Sequence, residues 1–402
     1  MHHDIRKTQV DSIGALVTDP RPQRPNPRPD FASVDFARSP FTVAWEITRA
    51  CALACVHCRA EAQPRRDRAE LSTEEAFHVI DQLVDVGGPI LIVTGGDPLM
   101  RDDCFEIIER ATSRGLRVAF SPSATGRCTR ETLERARDAG VSRVHISLDG
   151  PDAASHDAFR GVGGSFHRTL QILDDLRSAG ISLQIGTTVS RHSVQRLPEI
   201  ANLIAGYDPV MWSVFFLVPT GRGQLADMVS PEEHEATFNW LYDTAKTSPF
   251  DIRTTAAMPY RRVVIQRRRA EAANAPASPS SHAHANVAGA GYSFSGDMGM
   301  SMKGVNDGDG FAFIDHVGNV CPSGFLPLPA GNVREQGFAE IYRDSRLFRD
   351  LRDRSLLKGR CASCEYTPAC GGSRARAYAL TGDYLESDPS CVYEPPGGHA
   401  PC

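Results

Sequence analysis

FTVAWEITRACALACVHC, residues 41–58, decides how this chain is read. Its first half, FTVAWEI (41–47), is an apolar run with the length and the β-branched and aromatic content of a buried strand. The second half is a short loop holding Cys51, Cys55 and Cys58 in the spacing C-x3-C-x2-C. Three thiols on one loop directly after a strand can converge on one centre. A structural zinc site takes four ligands, usually as paired C-x2-C units. A [4Fe–4S] cluster likewise normally takes four thiolates. Three protein thiolates leave one metal position open, and an open iron can bind a substrate or cofactor as well as carry an electron. His57 is a possible fourth zinc ligand, but its place between Cys55 and Cys58 makes that geometry awkward.

Outward from this loop the chain alternates strands and helices. Strands are expected at 41–47, 89–96, 116–122, 142–150, 183–189 and 211–218. Helices are expected at about 72–87, 103–114, 129–139, 166–179, 194–205 and 231–247. Ser72 with Glu75 three residues on reads as a capping box, and Gly180 as a helix stop. Six strands alternating with helices imply a parallel sheet. Six units are too few for a closed eight-fold barrel, leaving an open or partial barrel or a doubly wound sheet. Residues 1–35, rich in Pro, Arg and Asp, read as an extended tail. Residues 36–247 carry the β/α array, and 248–310 read as a linker or mobile loop. His282 and His284 lie there and read as solvated. From 311 to 402 the chain is short, loop-rich and cysteine-rich, and opens on a β-hairpin at 311–320 with Gly318-Asn319 as its turn. A segment with so little core gains from a metal staple.

Further motifs recur at strand ends: Gly95-Gly96-Asp97-Pro98 after the second strand, Ser147-Leu148-Asp149-Gly150 after the fourth, then His156-Asp157-Ala158-Phe159-Arg160-Gly161. With the C-x3-C-x2-C loop after the first strand, these resemble the radical SAM enzymes over about residues 36–240 and 310–397. The resemblance implies an α/β fold, a partial (β/α)6 TIM-like barrel with a small C-terminal iron–sulfur, SPASM-like domain. It implies that Cys51, Cys55 and Cys58 hold a [4Fe–4S] cluster whose open iron chelates S-adenosylmethionine (SAM). Reductive cleavage of SAM then gives a 5′-deoxyadenosyl radical that abstracts a substrate hydrogen. Carried over residue by residue, the SAM contacts are Gly95, Gly96, Asp97, Ser147, Arg160, Thr187, Thr188 and Leu217, with Val218 beside the adenine. Asp97 departs from the Glu usual in the family.

The second cysteine set, Cys361, Cys364, Cys370 and Cys391, has the spacing C-x2-C-x5-C and a distant fourth. A zinc ribbon would also suit four thiols. The segment resembles the SPASM domain, which implies one auxiliary [4Fe–4S] cluster on these four. The complete pattern has seven cysteines for two clusters. Here Arg374 stands where it has one, and Cys321 lies near Ser323, where another would fall. Cys104, Cys128 and Cys402 fit no ligand spacing and read as free thiols.

The text around 44–51, 216–223 and 370–395 resembles the branch that modifies haem precursors, including the enzymes that oxidatively decarboxylate two propionates of Fe-coproporphyrin III. Ser373 departs from the cysteine frequent there. Peptide-modifying maturases share the two-domain plan and are the alternative. A non-catalytic protein binding zinc at both sites is the rival of another class. A porphyrin tetracarboxylate would call for arginines at the barrel mouth, and Arg222, Arg374 and Arg376 are the candidates. The net charge of −5 gives no case for nucleic acid or an anionic membrane surface. Eleven clustered cysteines without a secretory leader argue against a disulfide scaffold and for a cytoplasmic protein. Its expected partners are a tetrapyrrole or peptide substrate and a reductant such as flavodoxin or ferredoxin.

Overall fold

The computed structural model describes residues 33–274, 292–295 and 301–396. Nearly all of the expected N-terminal tail, His282, His284 and Cys402 lie outside them. Seven strands follow one another across a parallel sheet: β1 (Thr42–Glu46), β2 (Ile90–Thr94), β3 (Val118–Phe120), β4 (Arg143–Ser147), β5 (Leu183–Val189), β6 (Met211–Phe216) and β7 (Asp251–Thr255). The connections are α1 (Thr73–Asp85), α2 (Cys104–Ser113), α3 (Arg130–Asp138), the pair α4 (Ala153–Arg160) and α5 (Ser165–Ser178), α6 (Leu197–Ala205) and α7 (Pro231–Thr247). The capping box at Ser72 forms as read from the sequence, with Glu75 N donating to Ser72 Oγ at 3.2 Å and Ser72 N donating to Glu75 Oε2 at 2.7 Å.

Alternation along the strands divides the barrel into two environments, because successive side chains of a strand point to opposite faces. Val43, Trp45, Leu91, Val93, Val118, Phe120, Val144 and Ile146 share one core with helix residues such as Ile80, Ile108 and Leu173. The residues between them, including Ala44, Ile92, Ala119, Arg143 and His145, line an interior cavity.

The span 248–310 differs from the expected linker. Its first part folds as β7, paired parallel to β6, and α8 (Pro259–Asn274). The strand Asp-Ile-Arg-Thr-Thr buries only Ile252 and Thr254, so its alternation carries little hydrophobic signal. A ribbon of β8 (Tyr292–Ser295) and β9 (Ser301–Gly304) follows, then the two-residue β10 (Asn306–Asp307). The hairpin expected at 311–320 forms from β11 (Gly310–Ile314) and β12 (Asn319–Cys321), with its turn at 315–318 and β13 (Gly331–Asn332) beyond it. β11 also lies parallel to β1, pairing Thr42 with Phe311 and Trp45 with Ile314. The C-terminal segment therefore extends the barrel sheet. Among the described residues β7 and β11 do not pair, so the barrel stays open between them. The remainder is short helices: α9 (Phe338–Asp344), α10 (Arg346–Arg352), α11 (Gly359–Ser363) and α12 (Arg374–Thr381). No helix of the described residues is long and apolar enough to cross a membrane.

Candidate active site

The barrel interior encloses a cavity of about 410 Å³ that reaches the carboxyl ends of the strands, a volume within the range of small-molecule sites. Cys51, Cys55 and Cys58 all line it, and none is in a disulfide. The loop that carries them is tied down on several sides. Cys51 N donates to Gln63 O at 2.8 Å, and Arg49 Nε donates to Ala60 O at 2.7 Å. Gly96 packs directly under the loop: a Cβ there would stand 2.6 Å from both Arg49 O and Ala50 O. The glycines that end β2 thus admit the cysteine loop itself as well as lining the cavity.

The motif His156–Gly161 holds the other side. Its residues form most of α4. The Phe159 ring stacks on His57 at 4.0 Å, which turns the imidazole to an aromatic face. Burial lowers the pKa of His57 to about 4, so it stays neutral. Asp149 N donates to His156 Nδ1 at 3.2 Å. Arg160 forms a buried ion pair with Asp149 at 2.7 Å, and its Nη1 lies 3.6 Å from Cys55 Sγ. Burial alone would lower the pKa of this guanidinium. Asp149 and the Cys55 sulfur overcome it and hold its pKa above the ordinary arginine value.

Of the residues expected to contact SAM, Gly95, Gly96, Ser147, Arg160, Thr188 and Leu217 line the cavity. Two expected contacts do not. The Asp97 side chain is fully buried and accepts from Leu99 N, Ser123 N and, at 2.7 Å, Thr125 Oγ1. Its shorter arm caps the turn after β2. Thr187 faces the helix layer, donating to Leu148 O at 2.7 Å and accepting from Trp212 Nε1 at 2.9 Å. Ser123, which the sequence reading passed over, lies 3.7 Å from Cys51 Sγ and donates to Gly96 O at 2.8 Å. Its only sequence signal is its position just past the end of β3.

The three arginines expected to meet substrate carboxylates are placed differently. Arg222 lines the cavity but spends its guanidinium on the cysteine loop: Nε donates to Cys55 O at 3.0 Å and Nη1 to Ala62 O at 3.2 Å. Arg374 donates to Tyr384 O and Glu386 O and lies 3.8 Å from Cys361 Sγ. Arg376 pairs with Asp388, both side chains fully buried. Arg59, Arg143, Arg160, Arg253 and Arg261 are the other arginines around the cavity. Arg222→Met removes two charge-assisted bonds, each worth about 1.5–3 kcal/mol. It should speed hydrogen exchange across residues 51–62, with Arg222→Lys between it and the wild type.

A second, smaller cavity is lined by Cys361, Cys364, Cys370 and Cys391 together. Gly372 closes it tightly, since a Cβ there would reach 3.2 Å from Cys361 Sγ. Cys321 lines neither cavity. It is buried in β12, where desolvation pushes its thiol up to about 12, as it does for Cys128. Among the described residues no three His, Cys, Asp or Glu groups are close enough to share one metal ion. Each thiol set stands around a space rather than a point.

Residues 45–204 match the radical SAM superfamily, and residues 307–365 match the SPASM iron–sulfur cluster-binding domain. The chain is 42% identical to the AdoMet-dependent heme synthase of Methanosarcina barkeri over 90% of its length and 99% of that protein's. It is 44% identical to the enzyme of that name from Nitratidesulfovibrio vulgaris, covering 88% of this chain and 92% of the relative. The chain belongs to the radical SAM superfamily. Mycofactocin maturase of Mycolicibacterium smegmatis is a further relative, 33% identical over 88% of this chain and 83% of its own. The fold is also that of Streptococcus suis SuiB bound to S-adenosylmethionine, with a TM-score of 0.67 at 14% identity, covering 89% of this chain and 78% of SuiB.

As a radical SAM enzyme the protein works with a [4Fe–4S] cluster and SAM, and its SPASM domain adds auxiliary iron–sulfur. The zinc-protein alternative is set aside with that membership. The donor sets fit these groups. Soft thiolates suit iron–sulfur clusters. Burial pushes the Cys370 thiol up to about 12, so a cation that deprotonates it is what makes it a ligand.

Proposed function

We propose that this radical SAM enzyme acts on a haem precursor bearing several carboxylates, removing carboxyl groups oxidatively from propionate side chains. The observation that carries this reading is the cavity lining. Among the described residues its lining holds six arginines, Arg59, Arg143, Arg160, Arg222, Arg253 and Arg261, and one carboxylate, Asp307. Glu46 and Asp149 pair with Arg59 and Arg160, and Arg222 is bonded to the cysteine loop, so Arg143 and Arg253, within the strands, are the ones assigned to substrate carboxylates. Phe215, Phe311, Phe313 and Phe325 add aromatic faces to the same space. A flat aromatic tetracarboxylate matches both features, through stacking and through guanidinium–carboxylate bonds. The AdoMet-dependent heme synthases at 42–44% identity support the same substrate class. The mycofactocin maturase relatives support the peptide alternative at lower identity.

In this reading Cys51, Cys55 and Cys58 hold the SAM cluster, and Gly95, Gly96, Ser147, Arg160, Thr188 and Leu217 bound the SAM subsite. When loaded, that centre supplies a 5′-deoxyadenosyl radical that takes a hydrogen atom from the substrate. Arg160 and Asp149 fix one side of the subsite, and Arg222 fixes the loop. Lumen residues such as Arg143 and Arg253 orient substrate carboxylates, and the phenylalanines exclude water. Cys361, Cys364, Cys370 and Cys391 hold one auxiliary cluster. The barrel of residues 36–274 carries the chemistry, and residues 305–396 extend its sheet and supply the auxiliary thiols. Thiol-rich clusters fit the reducing cytoplasm, with a flavodoxin or ferredoxin as electron donor.

The test is anaerobic turnover with dithionite and SAM. Formation of 5′-deoxyadenosine should rise at least tenfold on adding Fe-coproporphyrin III, with loss of carbon dioxide from the porphyrin. Stimulation by a candidate peptide and none by the porphyrin would overturn the substrate assignment.

A further inference from the structure

Arg261, Asn306 and Asp307 line the large cavity and are 2%, 2% and 8% exposed. Each also bonds to the segment that carries Cys370. Arg261 Nη1 donates to Ala369 O at 3.0 Å, and Asn306 Nδ2 donates to Gly372 O at 3.0 Å. Ala375 N donates to Asp307 Oδ2 at 3.0 Å. Arg261 Nη2 also reaches Val305 O, which fixes the guanidinium in the plane of the wall. Cys370 and Gly372 themselves line the smaller thiol cavity. One layer of side chains therefore faces the large cavity on one side and grips the backbone around an auxiliary thiol on the other. It contains one cation and one anion, both screened from bulk water, where charges interact strongly.

We infer that Arg261, Asn306 and Asp307 form an electrostatic wall through which charge bound in the large cavity sets the reduction potential of the auxiliary cluster. This rests on the proposed polycarboxylate substrate for its ligand, but not for the wall itself. A polyanion beside Arg261 offsets the positive potential that the guanidinium projects onto the cluster, which disfavours the reduced state. By linkage, reducing the cluster weakens polyanion binding by the same factor. Asp307 opposes Arg261, so the two side chains act on the cluster with opposite sign. Asn306 holds the spacing without charge.

The test uses the full chain carrying Cys51→Ala, Cys55→Ala and Cys58→Ala, so that only the auxiliary cluster reports. About four irons per chain establish its loading, and its midpoint is read by electron paramagnetic resonance during a redox titration. Without ligand, Arg261→Met should lower the midpoint by about 59 mV. That is a tenfold change in the oxidised-to-reduced ratio of a one-electron couple, and it is the size given by one charge about 12 Å away at an effective dielectric of about 20. Asp307→Asn should raise the midpoint, and Arg261→Lys should leave it near the starting value. Opposite shifts cannot come from general loosening of the fold. Shifts in the same direction, or none, overturn the inference. Zn-coproporphyrin III, which has no unpaired electron, then serves as the polyanion, with its fluorescence reporting binding. It should lower the midpoint, and Arg261→Met should remove most of that shift. An unmoved midpoint at saturation overturns the linkage. Failure of the porphyrin to bind overturns the substrate reading, while the ligand-free shifts decide the wall.

Discussion

Alanine at Cys51, Cys55 or Cys58 should reduce 5′-deoxyadenosine formation to the rate of an enzyme-free control. The three thiols come from one loop and face one cavity, so losing any of them leaves too few ligands for a cluster that already keeps one iron open. Iron should fall from about eight to about four per chain, because the auxiliary thiols line a separate cavity. The fold should hold in these variants, since the loop is anchored by Arg49, Gln63 and Arg222 through backbone atoms rather than sulfur. SAM cleavage at the wild-type rate in any of the three would sink their assignment as ligands. Alanine at Cys321, buried in β12 and lining neither cavity, should leave the iron content unchanged.

Asp388→Ala should cost about 3–5 kcal/mol of unfolding free energy, measured by urea denaturation of the reconstituted protein. Asp388 is fully buried and pairs with Arg376 at 3.2 Å. It also accepts from Ser373 N at 2.9 Å and Ser390 N at 3.1 Å, which brackets the turn leading to Cys391. Removing it strands a buried guanidinium and two amides. Arg376→Met in the same chain should recover part of the loss, because the orphaned charge goes with it. The pair also has a pH signature. Burial alone would raise the Asp388 pKa, but Arg376, the Ser373 and Ser390 amides and Arg374 together outweigh it and hold the carboxyl below its ordinary value of 3.8. Its contribution is therefore complete above that value and fades as pH falls through the lower folded pKa. Wild type and variant should converge in stability only in acid.

The strand–helix alternation, the capping box at Ser72, the first thiol set and the Cys361–Cys370 run of the second were legible in the sequence because each depends on local spacing. What escaped depends on contacts between distant segments. β7 was unreadable because two buried positions, Ile252 and Thr254, are too few to show a period. Thr187 and Thr188 are adjacent and chemically alike, and only strand register assigns the second to the cavity and the first to Trp212. The arginines show the same limit. Arg374 and Arg376 looked like substrate contacts on a loop, yet each is buried in local bonding. Arg143 and Arg253 lie within strands and had no motif to mark them.

The parallel pairing of β1 with β11 sets an order of events during synthesis. β1 leaves the ribosome early, but the strand that covers its outer edge is made only after the rest of the barrel. Until then the edge of β1 offers unpaired backbone groups to any passing strand. The cysteine loop begins just beyond that same strand, so the emerging chain carries an exposed sheet edge and three reduced thiols side by side. Pairing over such a separation in sequence is slow. A nascent chain truncated before β11 should therefore be the form most prone to aggregate and to oxidise, and β11 the element whose arrival ends that risk.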